Sequence, residues 1–253
     1  MNARQRREDI LRRLQDSWTV YTNALCEIYG VSAMTLRRDF SRLEAEGLIT
    51  TIRGGAALNQ GNAVLHSLEL RQRRQPEEKR KIAAHCAELV QEGESVFIDN
   101  GSTGACIAEC LAKRTNLTVL TASLDAAEIL SQEKGNRLII VPGVYYPALR
   151  GASGQMTADF MERFHVDWLF LGANGLDTDY GLTSPDYTDA ETKRILIRQA
   201  RQTVVATDST KLGQSYFERI ARLEELTRVV TDSKAAPELL ETMRQRTDVD
   251  SVG

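Results

Sequence analysis

Two groups of residues in this chain have types and spacing suited to chemistry. The first is Arg37-Arg38, preceded by Ser32-Ala33-Met34-Thr35 and followed by Ser41-Arg42. Arginine presents a planar fork of donors that fits a guanine edge bidentately and also clamps phosphate. Ser32 and Thr35 add hydroxyls suited to a phosphate backbone, and Met34 adds an apolar contact beside them. Arg53 precedes Gly54-Gly55, a pair that lets backbone approach a polyanion while the arginine reaches into a minor groove.

The second group recurs where short apolar runs end. Val96-Phe97-Ile98 leads into Asp99-Asn100-Gly101-Ser102-Thr103-Gly104, and Leu120 leads into Thr121-Ala122-Ser123. Val141 leads into Pro142-Gly143, Leu171 into Gly172-Ala173-Asn174-Gly175-Leu176-Asp177, and Ala206 into Thr207-Asp208-Ser209-Thr210-Lys211. Small residues ahead of a helix offer backbone N–H groups and hydroxyls to an anion. A lysine adds a point charge for phosphate. The candidate binding residues are Asp99, Gly101, Ser102, Thr103, Thr121, Ser123, Gly143, Asn174, Gly175, Asp177 and Lys211. They suit a polyhydroxylated molecule that is phosphorylated or acidic.

These residues need elements to position them. At 100° per residue, Leu36, Phe40 and Leu43 share one arc and predict a buried helix face. Met34, Arg38 and Ser41 lie opposite, flanked by Ala33, Arg37 and Arg42. Ser32 is the expected N-cap, and Gly47 ends the helix near Glu46. Asp39 sits near the core side, where an intramolecular partner is expected. Ahead lie a helix over Arg4–Gln15 and a short one over Asn23–Tyr29, with Thr22 as its N-cap and Gly30 as its stop. Behind come strands Leu48–Ile52 and Ala56–Leu58 around a tight turn. Three short helices and a two-stranded hairpin make a winged helix-turn-helix over residues 1–57. A helix suited to a major groove implies double-stranded DNA as partner, and because a single such module reads few base pairs, a homo-oligomer on repeated half-sites is expected.

Residues 58–75 lose periodicity and are expected to link that module to residues 76–253. A helix is expected from Pro76 to about Val90. Strands are then expected at Ser95–Ile98, Leu117–Leu120, Arg137–Val141, Trp168–Leu171, Thr203–Ala206 and Val229–Thr231. Helices are expected at Ala105–Ala112, Leu124–Glu133, Met156–Phe164, Ala190–Gln202 and Pro237–Gln245. This alternation predicts an α/β domain with a mainly parallel sheet, whose ligand crevice lies at the carboxyl ends of its strands.

Composition narrows the remaining classes. At 253 residues, 42% hydrophobic and 26% charged, the chain matches one large or two modest globular domains, not a fibre or disordered tail. No apolar run is long enough to cross a bilayer and the N-terminus has no signal core, so a cytoplasmic protein without a membrane partner is expected. Cys26, Cys86, Cys106 and Cys110 are too few for a disulfide framework. Cys106 and Cys110 stand one helical turn apart, but no other Cys or His joins them at zinc spacing, and His66, His85 and His165 are scattered. No metal and no cofactor is expected. The net charge of −3 conceals an asymmetry. Residues 1–57 carry nine arginines and no lysine against seven acids, and the remainder carries 23 basic residues against 28 acidic ones. An arginine-rich module on an acidic body points to one part that meets a polyanion.

The run Val31-Ser32-Ala33-Met34-Thr35-Leu36-Arg37-Arg38-Asp39-Phe40, followed by Leu43-Glu44-Ala45-Glu46-Gly47 and Arg53-Gly54-Gly55-Ala56, resembles the DeoR family of bacterial transcriptional regulators. Leu36 and Phe40 stand for the family's usual Ile and Leu, and Ile52-Arg53 for its frequent Arg–His pair. The resemblance extends through Ile98–Thr103, Gly172–Gly175, Asp208–Lys211 and Thr231-Asp232. Glu191 and Lys193 fall near the family's E-x-x-K-like element, at tighter spacing. Thr121-Ala122-Ser123 replaces its T-N-S, and Pro142-Gly143 replaces Gly-Gly. The resemblance implies a sensor domain similar to pentose-phosphate isomerases. It also implies a phosphorylated sugar or sugar-acid effector that controls operator affinity, most often in repression of a carbohydrate operon. On this reading Ser32, Met34, Thr35, Arg37, Arg38, Arg53 and Gly54 meet DNA. A transcriptional activator and a sugar-phosphate isomerase tethered to DNA are the alternatives. Against the enzyme, Asn174 occupies an acidic position of the isomerase loop, no lysine precedes Gly181-Leu182-Thr183, and only Asp177 and Glu191 remain as carboxylates, so no catalytic residue is assigned.

Overall fold

A computed structural model of the chain describes residues 2–17, 19–52, 54–58, 75–146 and 149–253. It divides into two compact units, Met1–Ser67 and Leu68–Gly253. The expected linker 58–75 lies, apart from its two end residues, outside the described residues, and so does Arg53.

The first unit runs α1 (Ala3–Ser17), β1 (Thr19–Tyr21), α2 (Thr22–Tyr29), α3 (Ala33–Ala45), β2 (Ile49–Ile52) and β3 (Gly55–Leu58). Ile10, Leu14, Leu25, Leu36, Phe40, Leu43 and Ile49 bury at its centre. The alternation of those apolar positions at helical spacing is what folds the three helices around one core. Two expectations need correction. The wing is three-stranded, in the order β1-β3-β2, because Val20 pairs antiparallel with Ala56. Three residues are too few to show a strand period, so β1 was invisible locally. Thr22 is not the N-cap of α2. It is the first helical residue, and Tyr21 holds the extended cap position.

In the second unit a helix, α4 (Pro76–Leu89), precedes β4 (Ser95–Ile98), α5 (Ser102–Ala112), β5 (Thr118–Thr121), α6 (Leu124–Ser131) and β6 (Arg137–Ile140). After a hairpin, β7 (Val144–Tyr146) and β8 (Gly151–Ser153), come α7 (Gln155–Met161) and β9 (Val166–Leu171). Then follow β10 (Gly175–Asp177), β11 (Gly181–Ser184), α8 (Tyr187–Arg198), β12 (Ala200–Ala206) and β13 (Glu218–Ala221). The chain ends with β14 (Arg228–Asp232), α9 (Pro237–Arg244) and β15 (Asp248–Val252). Among the described residues the main sheet has seven parallel strands in the order β15-β14-β12-β9-β4-β5-β6.

Both faces of that sheet are covered. Phe97, Leu120, Leu169, Leu171, Val205 and Val229 pack on one side, while Val96, Ile98, Val119, Phe170, Val204 and Val230 pack on the other. Successive residues point to opposite faces, so a doubly covered strand must be apolar throughout. That is why the central strands were readable. The edge strand β15 reads Asp-Val-Asp-Ser-Val and was not expected. Strands β10, β11 and β13 form a small antiparallel sheet where loops were expected, since three or four residues each show no clear alternation. Helix α8 starts three residues earlier than expected because Asp186 caps it, accepting from the Asp189 N–H at 2.8 Å. No helix among the described residues is long and apolar enough to cross a membrane.

The strand order sets the place of the site. From β4 the chain moves outward through β5 and β6, then returns to the other side of β4 as β9 and continues through β12. The winding direction therefore reverses between β4 and β9. The loops beyond those two strands diverge and leave a crevice.

Candidate nucleic-acid interface and candidate effector site

Helix α3 presents its two faces as the periodicity requires. Leu36, Phe40 and Leu43 are buried, and Ala33, Met34, Arg37, Arg38, Ser41 and Arg42 are exposed. The Ser32 hydroxyl accepts from the Thr35 N–H at 3.3 Å and lies 3.1 Å from the Thr35 hydroxyl. This cap satisfies one of the donors that a helix start leaves open. Gly54 sits exposed at the tip of the wing.

The arginines of this unit fall into paired and outward-facing groups. Arg6 Nε donates to Asp39 at 2.6 Å and Arg7 to the same carboxylate at 3.3 Å, both reaching it from α1. Asp39 therefore has the intramolecular partner its position demanded. Arg12 and Arg13 pair with Asp9, Arg4 with Glu8, and Arg42 with Glu46. Among the described residues Arg37 and Arg38 alone of the unit's arginines make no ion pair. Their charge is therefore directed outward from a rigid helix face, the arrangement needed for insertion into a major groove. Glu44 fixes that helix to the wing, accepting from the Thr51 N–H at 2.7 Å and its hydroxyl at 2.8 Å, and these bonds hold its carboxyl below the usual range.

In the second unit a cavity opens at the reversal between β4 and β9. Asp99, Gly101, Ser102 and Thr103 line it from the end of β4 and the start of α5. Asn174 contributes from the loop after β9, and Lys211 from a single 3₁₀ turn (Ser209–Lys211) after β12. No side chain caps α5. Its first three residues line the cavity instead, so the positive end of the helix dipole faces it. The turn depends on two glycines. Gly101 has φ 114°, a conformation closed to ordinary side chains, and a Cβ on Gly104 would stand 2.3 Å from the Asp99 carbonyl oxygen.

Three charged residues from outside the strand-end loops also line the cavity: Lys79 from α4, and Asp189 and Lys193 from α8. Lys193 Nζ lies 3.0 Å from Asp189 and 3.2 Å from Asp99. Asp99 also accepts from the Gly172 N–H at 3.1 Å, and Asp189 from the Ser184 hydroxyl at 2.9 Å. Burial pushes the Asp99 carboxyl above its ordinary range, against the pull of Lys193. Burial disfavours the Lys193 charge too, but Asp189 and Asp99 outweigh it and hold the ammonium above its usual range. The partners of Lys193 are Asp189 and Asp99, not Glu191, which pairs with Arg194. The i to i+4 spacing of Asp189 and Lys193 was a legible sign of this pair. Lys79 had no local sign, since only the packing of α4 on α5 brings it there.

Five expected residues do not reach the cavity. Thr121 is buried, donating to the Ile98 carbonyl at 2.8 Å and accepting from the Ser123 N–H at 3.0 Å. Ser123 caps α6, accepting from Ala126 at 3.2 Å. Gly143 and Gly175 are close-approach positions, against the Thr157 hydroxyl and the Gln214 carbonyl. Asp177 closes the turn before β11, accepting from the N–H groups of Asp179 at 2.8 Å and Tyr180 at 3.0 Å. All five sit at strand ends, where turn chemistry uses the same residue types as anion binding. No cluster of His, Cys, Asp and Glu fit to hold a metal occurs among the described residues.

Residues 6–62 match the family model of the DeoR-like helix-turn-helix domain, and residues 74–233 that of the DeoR C terminal sensor domain. The glycerol-3-phosphate regulon repressor of Escherichia coli (strain K12) is 32% identical over 250 residues, spanning 98% of this chain and 97% of the relative. The lactose phosphotransferase system repressor of Streptococcus mutans is 32% identical over 237 residues, spanning 92% of this chain and 93% of its own length. Among solved structures, ribose 5 phosphate isomerase A from Neisseria gonorrhoeae covers 56% of this chain and 55% of its own at 19% identity. Its TM-score of 0.40 is too low to bear on activity.

Proposed function

The chain belongs to the DeoR family of transcriptional regulators, and on that premise we propose that it is the repressor of a carbohydrate-utilisation operon. Residues 1–57 bind operator DNA, residues 58–75 connect, and residues 76–253 bind a phosphorylated sugar or sugar-acid metabolite that controls operator affinity. The observation that carries this reading is the coexistence of two polyanion-suited sites on separate cores. One is the α3 face, with Arg37 and Arg38 outside every ion pair among the described residues. The other is the cavity where the uncapped start of α5 meets Lys79 and Lys211.

Ser32, Thr35, Met34, Arg37 and Arg38 meet the DNA, with Gly54 and Arg53 at the wing. Asp99, Gly101, Ser102, Thr103, Asn174 and Lys211 receive the effector. A single winged module reads few base pairs, so a homo-oligomer on repeated half-sites completes the reading. The two curated relatives are by name repressors of phosphate- or sugar-linked systems, which supports the effector class.

The sensor unit is proposed to bind without turnover. Asp177 serves a turn outside the cavity and Glu191 is paired with Arg194, while the carboxylates that line the cavity are engaged, Asp99 and Asp189 by Lys193 and Asp208 by the Thr210 N–H, which supports binding without a free general base. The test is a thermal-shift screen with sugar phosphates, glycerol 3-phosphate, sugar acids and free sugars, followed by operator binding with each hit. A rise in melting temperature confined to phosphorylated or acidic compounds, with a change in operator affinity, is expected. Aldose–ketose interconversion by the purified protein would overturn the non-enzymatic reading.

A further inference from the structure

We propose that Lys79 relays occupancy of the cavity to the DNA-binding unit, a proposal that rests on reading that cavity as the effector site. Other lining residues come from strand ends or from α5 and α8. Lys79 comes from the first turn of α4, the helix that directly follows the segment joining the two units. Its N–H closes that turn on the Gln75 carbonyl at 3.1 Å. Its side chain is only 4% exposed, a rare state for lysine, whose ammonium requires polar or anionic company.

The same turn is tied to the cavity by a second route. Glu78 is bonded to Lys234. The Lys234 N–H donates to Asp232 at 3.0 Å, and the other oxygen of that carboxylate accepts from the Ser209 N–H at 2.7 Å. Ser209 opens the turn that carries Lys211 back to the cavity wall. The first turn of α4 is thus connected to the cavity wall directly through Lys79 and indirectly through the backbone of the Ser209–Lys211 turn, a route that does not need the Lys211 side chain. At the junction, Gln75 is held at φ 50°, ψ 49°, in the left-handed region, and its side chain accepts from Lys234 at 3.4 Å. An anion seated between the start of α5 and Lys211 attracts the Lys79 ammonium, and a shift of that side chain redirects the helix start from which the connecting segment departs. Such a contact couples the two sites only if it differs between the DNA-competent and incompetent states.

The experiment uses the full chain and an operator duplex selected from a random pool. The probes are glycerol 3-phosphate, glucose 6-phosphate and inorganic phosphate, and the one that raises the melting temperature is carried forward. Operator Kd is measured with and without that probe at saturation in the wild type, Lys79→Met, Lys79→Arg and Lys211→Met. The wild-type ratio is expected to depart from one by about fivefold or more. In Lys79→Met it falls to within about twofold of one, although saturation is still reached, and Lys79→Arg recovers part of it. Lys211→Met needs more probe but keeps the wild-type ratio once saturated. A wild-type ratio in saturated Lys79→Met overturns the relay and leaves the effector reading intact. If no probe alters wild-type melting or operator binding, both fall together. Hydrogen exchange on the wild type decides the matter without a variant. Slowed exchange at residues 76–83 as well as 101–105 is expected on probe binding, and slowing at 101–105 alone overturns the relay.

Discussion

At the scale of single residues, the chain separates charges that hold the fold from charges that face outward. Asp39 spends its carboxylate on Arg6 and Arg7 inside the first unit, while Arg38, one position earlier, stays exposed. Replacing Arg38 by Ala is expected to weaken operator binding by roughly 1–3 kcal/mol without lowering the melting temperature. Fluorescence anisotropy at fixed salt checks this, and an unchanged affinity removes Arg38 from the interface. Lys193 belongs to the opposite class. It lies between two buried carboxylates, so Lys193→Met leaves them unbalanced, at a cost of about 3–5 kcal/mol near neutral pH. The sign with pH follows from Asp99, whose folded-state affinity for a proton is already raised. A raised folded-state pKa contributes stability at low pH that is lost as pH climbs through it. Losing the ammonium raises it further. The variant's deficit should therefore shrink from pH 8 to pH 5 in denaturant titrations. An equal deficit at both would show that the carboxylates are not its source.

At the scale of elements, the strand–turn–helix unit β4–α5 matters most. Its turn works because Gly104 lets the helix start pass close to the Asp99 carbonyl and because no side chain caps α5. Gly104→Ala forces a Cβ to within 2.3 Å of that oxygen. The expected result is a loss of roughly 1–3 kcal/mol of stability, as overpacking generally brings, together with weakened effector binding. Calorimetric titration beside a melting curve checks both. Retained effector affinity would mean that the start of α5 does not shape the site. Much of this element was legible: a run of β-branched and aromatic residues ended in Asp-Asn-Gly-Ser-Thr-Gly, and the strand bounds matched residue for residue. The equally Gly- and Ser-rich loops near Ser123, Gly143 and Asp177 turned out to serve caps, packing and turns.

At the scale of the whole molecule, each unit carries its own buried core, so two unfolding transitions are expected in calorimetry. Asp39→Asn should lower one of them by weakening the Arg6 and Arg7 pairing, and an effector should raise the other. A single transition that both perturbations move together would overturn this independence. The sequence by itself determined the alternation of the main-sheet strands and their helices, the Ser32-capped arginine helix, the parallel character of the sheet and the family of the chain, because these rest on periodicities and short motifs confined to neighbouring residues. The tertiary structure decided which strand-end loops share a cavity, that Lys79, Asp189 and Lys193 belong to it, and that six of the first unit's arginines are engaged within the fold. The reason is physical: a turn residue and an anion-binding residue look alike locally. Strand order, which brings β4, β9 and β12 side by side across long stretches of chain, settles which of them face a common space.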